Sequence, residues 1–157
     1  MDRSEFIAYV ESNQKALRRF LTALCCGDSA LADDIAQETY MKAYMSADGF
    51  RGDARFSSWV YRIAYNTFVS YRRSHLLATD VSEAAAVASD DSADSGFRYQ
   101  PLYAALDRLN ERERTAVLLF YIEGYTIKEI SAIVDASEDA VKQHLSRARK
   151  HLKTLLS

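Results

Sequence analysis

Residues 125–156, YTIKEISAIVDASEDAVKQHLSRARKHLKTLL, divide into two helices around Asp135-Ala136-Ser137. Thr126 and Glu129 form the T-x-x-E pattern of a capping box. In that box the hydroxyl takes a free backbone N–H, and the carboxylate reaches back to the cap. Ile127, Ile130 and Val134 share one helical face. Ser137 is placed to cap the second helix, with Glu138 and Asp139 at the positive end of its dipole. Val141, Leu145, Ala148, Leu152 and Leu155 make an apolar stripe along that helix. Asp139, Gln143, Ser146, Arg147 and Lys150 point the other way, flanked by Lys142, His144 and Arg149. A short helix, a turn and a longer helix with a polar, basic outer face is helix-turn-helix geometry. A plain antiparallel helix pair with a solvated outer face has the same spacing, so spacing alone leaves both readings open.

Upstream of this pair, Tyr99 to Leu109 reads as a short helix with Leu102, Ala105, Leu106 and Leu109 inward. Asn110 opens another through N-E-R-E, with Val117, Leu118, Phe120 and Tyr121 as its apolar residues and Gly124 as its stop. Before them runs ATDVSEAAAVASDDSADSG, residues 78–96, small and acidic. Such a composition buries too little apolar surface to offset its ordering entropy, so the segment reads as a linker. It divides the chain into 1–77, a linker 78–97, and 98–157.

In the N-terminal part a helix runs from Glu5 to about Cys26 with Phe6, Tyr9, Val10, Leu17, Phe20, Leu21 and Leu24 on its apolar face. Gly27-Asp28 ends it, and Asp28 or Ser29 caps the next, which runs from Ala30 to about Met45. There Ala32, Ala36, Tyr40 and Ala43 face the core, while Asp34, Gln37, Glu38 and Met41 form the opposite stripe. Such a stripe is ordinarily just wet. Residues 49–56, GFRGDARF, are a loop by their glycines. Ser57 or Ser58 is expected to cap a helix from Trp59 to about Leu77, with Val60, Ile63, Ala64, Thr67 and Tyr71 inward. Arg62, Tyr65, Asn66, Arg72 and Arg73 lie outward, with Val69 among them. Rings interleaved with cations suit single-stranded nucleic acid, because rings stack on bases while cations track phosphates. Large aromatics also serve packing, and for Phe56 and Trp59 both roles stay open.

With one Pro, five Gly and no alternating strand pattern, the chain is all-α: two small helical domains, the second with a helix-turn-helix. The net charge of −2 argues against nucleic acid at first sight. However, segment 78–97 holds five acids and no base, and both flanking parts are slightly basic. A local basic face is therefore compatible with the whole. The adjacent Cys25-Cys26 lack metal or redox spacing and read as free thiols. His75, His144 and His151 are scattered, so no metal set and no cofactor is expected. No nucleotide-binding or catalytic motif is present, which argues against an enzyme and against a small-molecule substrate. No run spans a membrane and no signal pattern opens the chain, so a cytoplasmic protein is expected.

Four segments, in order, carry a family resemblance: DIAQETYMKAY at 34–44, FRGDARFSSWVYRIA at 50–64, RERTAVLLFYIEGYT at 112–126, and the 127–153 unit ending LSRARKHLK. Together they resemble the extracytoplasmic-function (ECF) group of bacterial sigma-70 family sigma factors. The resemblance implies a sigma region 2-like domain at 1–77 and a region 4-like domain at 98–157. It implies that Asp34, Gln37, Glu38 and Met41 contact the clamp helices of core RNA polymerase, whose flap is a further contact. It implies that Phe50, Arg51, Asp53, Arg55, Phe56, Trp59, Arg62, Tyr65, Asn66, Arg72 and Arg73 recognise and melt the −10 element. There a non-template base is flipped into a pocket, at a cost of a few kcal/mol of unstacking. It implies that Asp139, Lys142, Gln143, His144, Ser146, Arg147 and Lys150 read the −35 element in promoter DNA. The linker would pass through polymerase toward the RNA exit path. Members are commonly held by an anti-sigma factor.

This chain departs from the pattern at Tyr65, where the family often has Arg, and at Asp139-Ala140-Val141-Lys142-Gln143-His144, where Gly-Thr-Val-Lys-Ser-Arg is common. Asp139 repels phosphate unless it accepts from a cytosine amine, so −35 affinity or preference is expected to differ. A regulator acting on duplex DNA without polymerase is the alternative. The aromatic, basic 50–73 segment separates the two, since a duplex-only regulator has no use for a base-stacking surface.

Overall fold

A computed structural model describes residues 2–50, 55–78 and 101–157, with side chains 75–78 left aside. Among the described residues there are seven α-helices. We number them α1 (Arg3–Leu24), α2 (Ser29–Ser46), α3 (Phe56–Ala78), α4 (Pro101–Asp107), α5 (Glu111–Val117), α6 (Ile127–Val134) and α7 (Glu138–Leu156). A 3-10 turn, Ala47–Gly49, follows α2, and a π-helical turn, Leu118–Ile122, continues α5. The linker 78–97, the start of the short helix at Tyr99, and Arg51 and Asp53 lie outside the described residues, apart from Ala78, which ends α3.

Most helix starts follow from local chemistry. Asp2 and Glu5 make a reciprocal capping box for α1, each bond 2.9 Å. Asp28 accepts from Leu31 N–H at 3.0 Å and caps α2. Asn110 accepts from Glu113 N–H at 2.9 Å and caps α5. Thr126 and Glu129 form the expected box on α6, and Ser137 caps α7 through Ala140 N–H at 3.0 Å. Gly124, at φ 81°, ends the π turn in the left-handed conformation that a Cβ disfavours. In the turn after α6, Asp135 takes that conformation itself, at φ 56°. Asp tolerates it better than most residues. Ala136 N–H then donates to Ser131 O at 3.1 Å, and Ser131 Oγ donates back to Ala136 O, closing the turn from both sides.

The start of α3 differs from the expectation. Neither Ser57 nor Ser58 caps it. The helix begins at Phe56, and Trp59 N–H donates to Arg55 O. The reason is tertiary: Phe56 packs into a ring cluster with Phe6, Tyr9, Phe50 and Trp59, so the first turn is pulled inward. Ser57 Oγ bonds Tyr9 Oη at 3.1 Å, and Ser58 is buried.

Burial also widens the expected stripes. α2 packs between α1 and α3, so Ile35 and Thr39 are buried with the alanines, and Thr39 Oγ1 donates to Ile35 O at 2.7 Å. α3 packs on α2 and, on another side, on α6, which buries Tyr61 and Phe68 as well as Val60, Ala64 and Thr67. The π turn adds a residue to the helical repeat and shifts the register. Leu119 is therefore inside and Tyr121 is 52% exposed, the reverse of the simple helical reading. Leu102 and Leu155, expected inward, are exposed at the outer ends of α4 and α7. Ile133 joins Ile130 in the core of the helix-turn-helix.

One buried charge ties the two halves together. Arg114, 7% exposed, has no carboxylate partner among the described residues. Its guanidinium donates to Leu106 O at 3.1 Å, Leu109 O at 2.8 Å and Leu24 O at 3.1 Å, with Asp107 O alongside at 3.5 Å. These carbonyls end α4 and α1, where unpaired acceptors and the negative helix dipole collect. The cation thus satisfies acceptors that would otherwise be buried unmade. Arg114→Ala is expected to cost about 2–4 kcal/mol, since each orphaned buried acceptor costs roughly 1–3 kcal/mol. Arg114→Lys should recover part of the loss, because an ammonium lacks the planar fork. Urea unfolding with unchanged slope measures both.

Candidate polymerase and nucleic-acid interfaces

The stripe on α2 is assembled as the sequence suggests. Asp34, Gln37 and Met41 are exposed, Met41 to 61%. Glu38 is half-covered. It accepts from Tyr71 Oη at 3.0 Å and pairs with Lys42 Nζ at 2.9 Å. These two bonds hold its carboxyl below the usual range, so it stays ionised. Arg18 of α1 forks onto Asp33 through both guanidinium bonds and braces the helix from its side. The stripe is therefore a firm surface with fixed negative charge beside an exposed thioether. Tyr44 and Met45, exposed in the next turn, extend its apolar end.

Three of the aromatic residues assigned to the −10 surface, Phe50, Phe56 and Trp59, come together as a cluster, and Tyr65 packs apart from them on Phe68. Phe50 meets Phe56 edge-on at 5.2 Å and Trp59 at 5.4 Å, and Phe56 lies 5.3 Å from Trp59. Tyr9 adds an edge contact to Phe56 at 4.8 Å. All three rings are half-buried, so packing and an accessible rim coexist in the same residues. Along α3, Arg62, Asn66, Arg72 and Arg73 are exposed, and Tyr65 is half-buried. Burial, and then the nearby Glu111 charge, raise the Tyr65 hydroxyl above its ordinary value, so it is a neutral phenol.

On α7, Asp139, Lys142, Gln143, Arg147 and Lys150 are exposed, and His144 and Ser146 are partly covered. The imidazole of His144 is pushed down by burial and by Arg112 and Arg147. It is neutral at pH 7 and offers a donor and an acceptor instead of a charge. Arg149 donates to Tyr121 Oη at 3.0 Å, which explains why an aromatic in the π turn is tolerated outside. His151 Nδ1 lies 2.9 Å from the buried Glu113 carboxylate, so this histidine serves packing between α5 and α7.

Sequence reasoning missed the groups between the halves. Glu123, its side chain 6% exposed, accepts from Tyr61 Oη at 3.1 Å and faces Arg19 at 3.6 Å. Tyr61 packs on Phe20 and on Tyr125, bridging both units. Burial raises the Glu123 carboxyl above the ordinary range, despite Arg19 and the Tyr61 bond. Burial likewise pushes the Tyr125 hydroxyl up to about 12. No local signal marks such contacts, which join residues 41 or more apart in sequence.

The Sigma-70 region 2 family matches residues 9–76, and the Sigma-70, region 4 family matches residues 99–152. The chain is 30% identical to the ECF RNA polymerase sigma factor EcfG of Rhodopseudomonas palustris (strain TIE-1), over 98% of this chain and 84% of that relative. It is also 30% identical to the ECF RNA polymerase sigma-E factor of Escherichia coli (strain K12), over 74% of this chain and 69% of that relative. Among solved structures, it is similar to the sigma factor RpoE crystallised with the anti-sigma factor NepR from Bartonella quintana. The TM-score is 0.83 at 27% identity, over 97% of this chain and 96% of that one.

Glu123 generates a pH prediction. A carboxyl whose folded pKa is raised contributes fully below its unfolded value, and the contribution is lost as pH rises through the folded value. Glu123→Gln, which cannot ionise, is therefore expected to raise the thermal midpoint at pH 8, with the gain shrinking as pH falls toward 5. A lowered midpoint at pH 8 would show that the Arg19 pair outweighs burial.

Proposed function

We propose that this chain, which belongs to the ECF group of the sigma-70 family and directs promoter-specific transcription with core RNA polymerase, divides that work among three faces. The observation that carries the division is the separation of chemistries. A firm acidic stripe lies on α2, an aromatic cluster with arginines lies at α3, and a polar, basic face lies on α7.

Residues 1–77 act as the region 2-like domain and 98–157 as the region 4-like domain, joined by 78–97. Asp34, Gln37, Glu38 and Met41 dock on the polymerase clamp helices. At the −10 element the Phe50, Phe56 and Trp59 rims stack on bases. Arg62, Asn66, Arg72 and Arg73 supply charge and polar contacts to the unwound strand. Stacking of about 1–3 kcal/mol per base offsets a few kcal/mol of unstacking. Lys142, Gln143, Arg147 and Lys150 read or position the −35 duplex, and neutral His144 takes the place of a cation. The sigma-factor family is a regulatory, non-catalytic class, and this chain is no enzyme. It works in the cytoplasm. An anti-sigma protein is a further partner, by analogy with the relative solved in such a complex. The duplex-only regulator remains the alternative, but nothing in the α3 cluster favours it.

Run-off transcription with purified core polymerase on genomic fragments tests the reading, and promoter-specific transcripts are expected. Gln37→Ala with Glu38→Ala should weaken polymerase capture in a pull-down by about tenfold, while circular dichroism stays unchanged. Undiminished capture would remove that stripe from the contact. Arg147→Ala should weaken binding to all −35 sequences alike and lower the salt slope by about one unit. A loss confined to one base position would mark Arg147 as a base reader.

A further inference from the structure

Arg112 stands apart from the charged residues beside it on α5. Glu111 Oε2 pairs with Arg72 at 2.7 Å, Glu113 meets His151 at 2.9 Å, and Arg114 is buried on backbone carbonyls. These three engagements hold the first turn of the helix in place. Arg112 is exposed and, among the described residues, makes no hydrogen bond or ion pair. α5 packs along α7, and Arg112 lines a cavity of about 160 Å³ together with Ala116, Val141 and His144. Asp135, the one acid among the described walls, is not paired with it. At about 100° per residue, His144 lies about 60° around α7 from Arg147, on the edge of the outer face. Arg112 and Arg147 both bear on the His144 imidazole, which burial and then these two charges push down. A cation from α5 thus stands at the edge of α7 where the helix itself carries a neutral ring.

An α-helix about 10–12 Å across fills a major groove about 12 Å wide. Side chains on its outer face then reach base edges, and those on its flanks reach the phosphates of the groove walls. We propose that Arg112 is a phosphate contact of the −35 duplex, supplied by α5 to the edge of the recognition helix that His144 leaves uncharged. This rests on the assignment of α7 to that duplex. A guanidinium presents two parallel N–H groups to phosphate oxygens, and Arg112 has no internal partner to give up first. The contact adds affinity and register without base preference, because a phosphate carries no sequence information.

The test uses the full chain and a fluorescein-labelled random-sequence duplex of about 20 base pairs, read by anisotropy across a salt series. Arg112→Gln is expected to weaken binding about tenfold at about 0.1 M salt and to lower the salt slope by about one unit. Arg112→Lys, which keeps the charge but not the fork, should lose no more than about threefold. Lys15→Gln, which removes an exposed cation of α1, should change neither quantity. In the free chain, Arg112→Gln should also raise the His144 imidazole pKa, read by NMR, because a neighbouring cation is gone. An unmoved imidazole would show that Arg112 does not stand beside His144 and would overturn the proposal. Unchanged binding by Arg112→Gln, alongside a loss in Arg147→Ala, would overturn the contact and leave the assignment of α7 standing. No binding by the unaltered chain, or no loss in either variant, would overturn the assignment of α7 itself and the proposal with it. A loss in Lys15→Gln equal to that in Arg112→Gln would reduce the effect to net charge and overturn the contact.

Discussion

A guanidinium cannot be buried without acceptors, and the whole arrangement here answers that demand at Arg114. The carbonyls that surround it belong to the ends of α1 and α4, so the N-terminal helix and the C-terminal unit meet at one cation. Each helix C-terminus carries about half a negative charge, which makes it a natural seat for a cation. With Arg114 in place, the direction of α5 is set. Glu111 at its start then falls beside Arg72, and Glu113 one turn in reaches His151. The π turn that follows brings Glu123 and Tyr125 against Tyr61. The contacts that cover α3 follow from that path.

The same packing gives several side chains two duties. Phe56 and Trp59 were open between core and base-stacking roles on spacing alone. They turn out to be half-buried members of one ring cluster. Such rings are held at fixed angles by their neighbours and still present a rim. Arg55, Arg62 and Arg72 are likewise engaged and exposed at once. An exposed arginine pair is individually weak, so these side chains exchange partners at little cost.

Local features were legible because their causes are local. The capping boxes, the glycine stop at Gly124 and the 3.6-residue stripes depend on neighbours within about one turn, and they recur in the structure with bounds shifted by a few residues. The α2 stripe and the α7 outer face were legible for the same reason. The start of α3 was not, because Phe56 answers to Phe6, Tyr9 and Phe50 and not to the serines beside it. Tyr121 lies outside because a π turn changes the period of the helical stripe. Arg114 and Glu123 carried no signal at all. Their partners lie across the chain, and a buried charge in sequence looks like any surface one.

The sequence by itself determined the all-α class, the starts of the helices capped by Asp28, Asn110, Thr126 and Ser137, the family to which the chain belongs, and which residues could form each face. These rest on periodicity, capping chemistry and motif order, all of which are properties of short stretches. The tertiary structure alone decided which faces are free. Whether Arg62 meets solvent, DNA or Ala132 O depends on where α6 comes to rest, and that in turn depends on buried polar groups finding acceptors. The cost of an unmade buried hydrogen bond is paid over the whole packed chain, so no stretch read in isolation carries it.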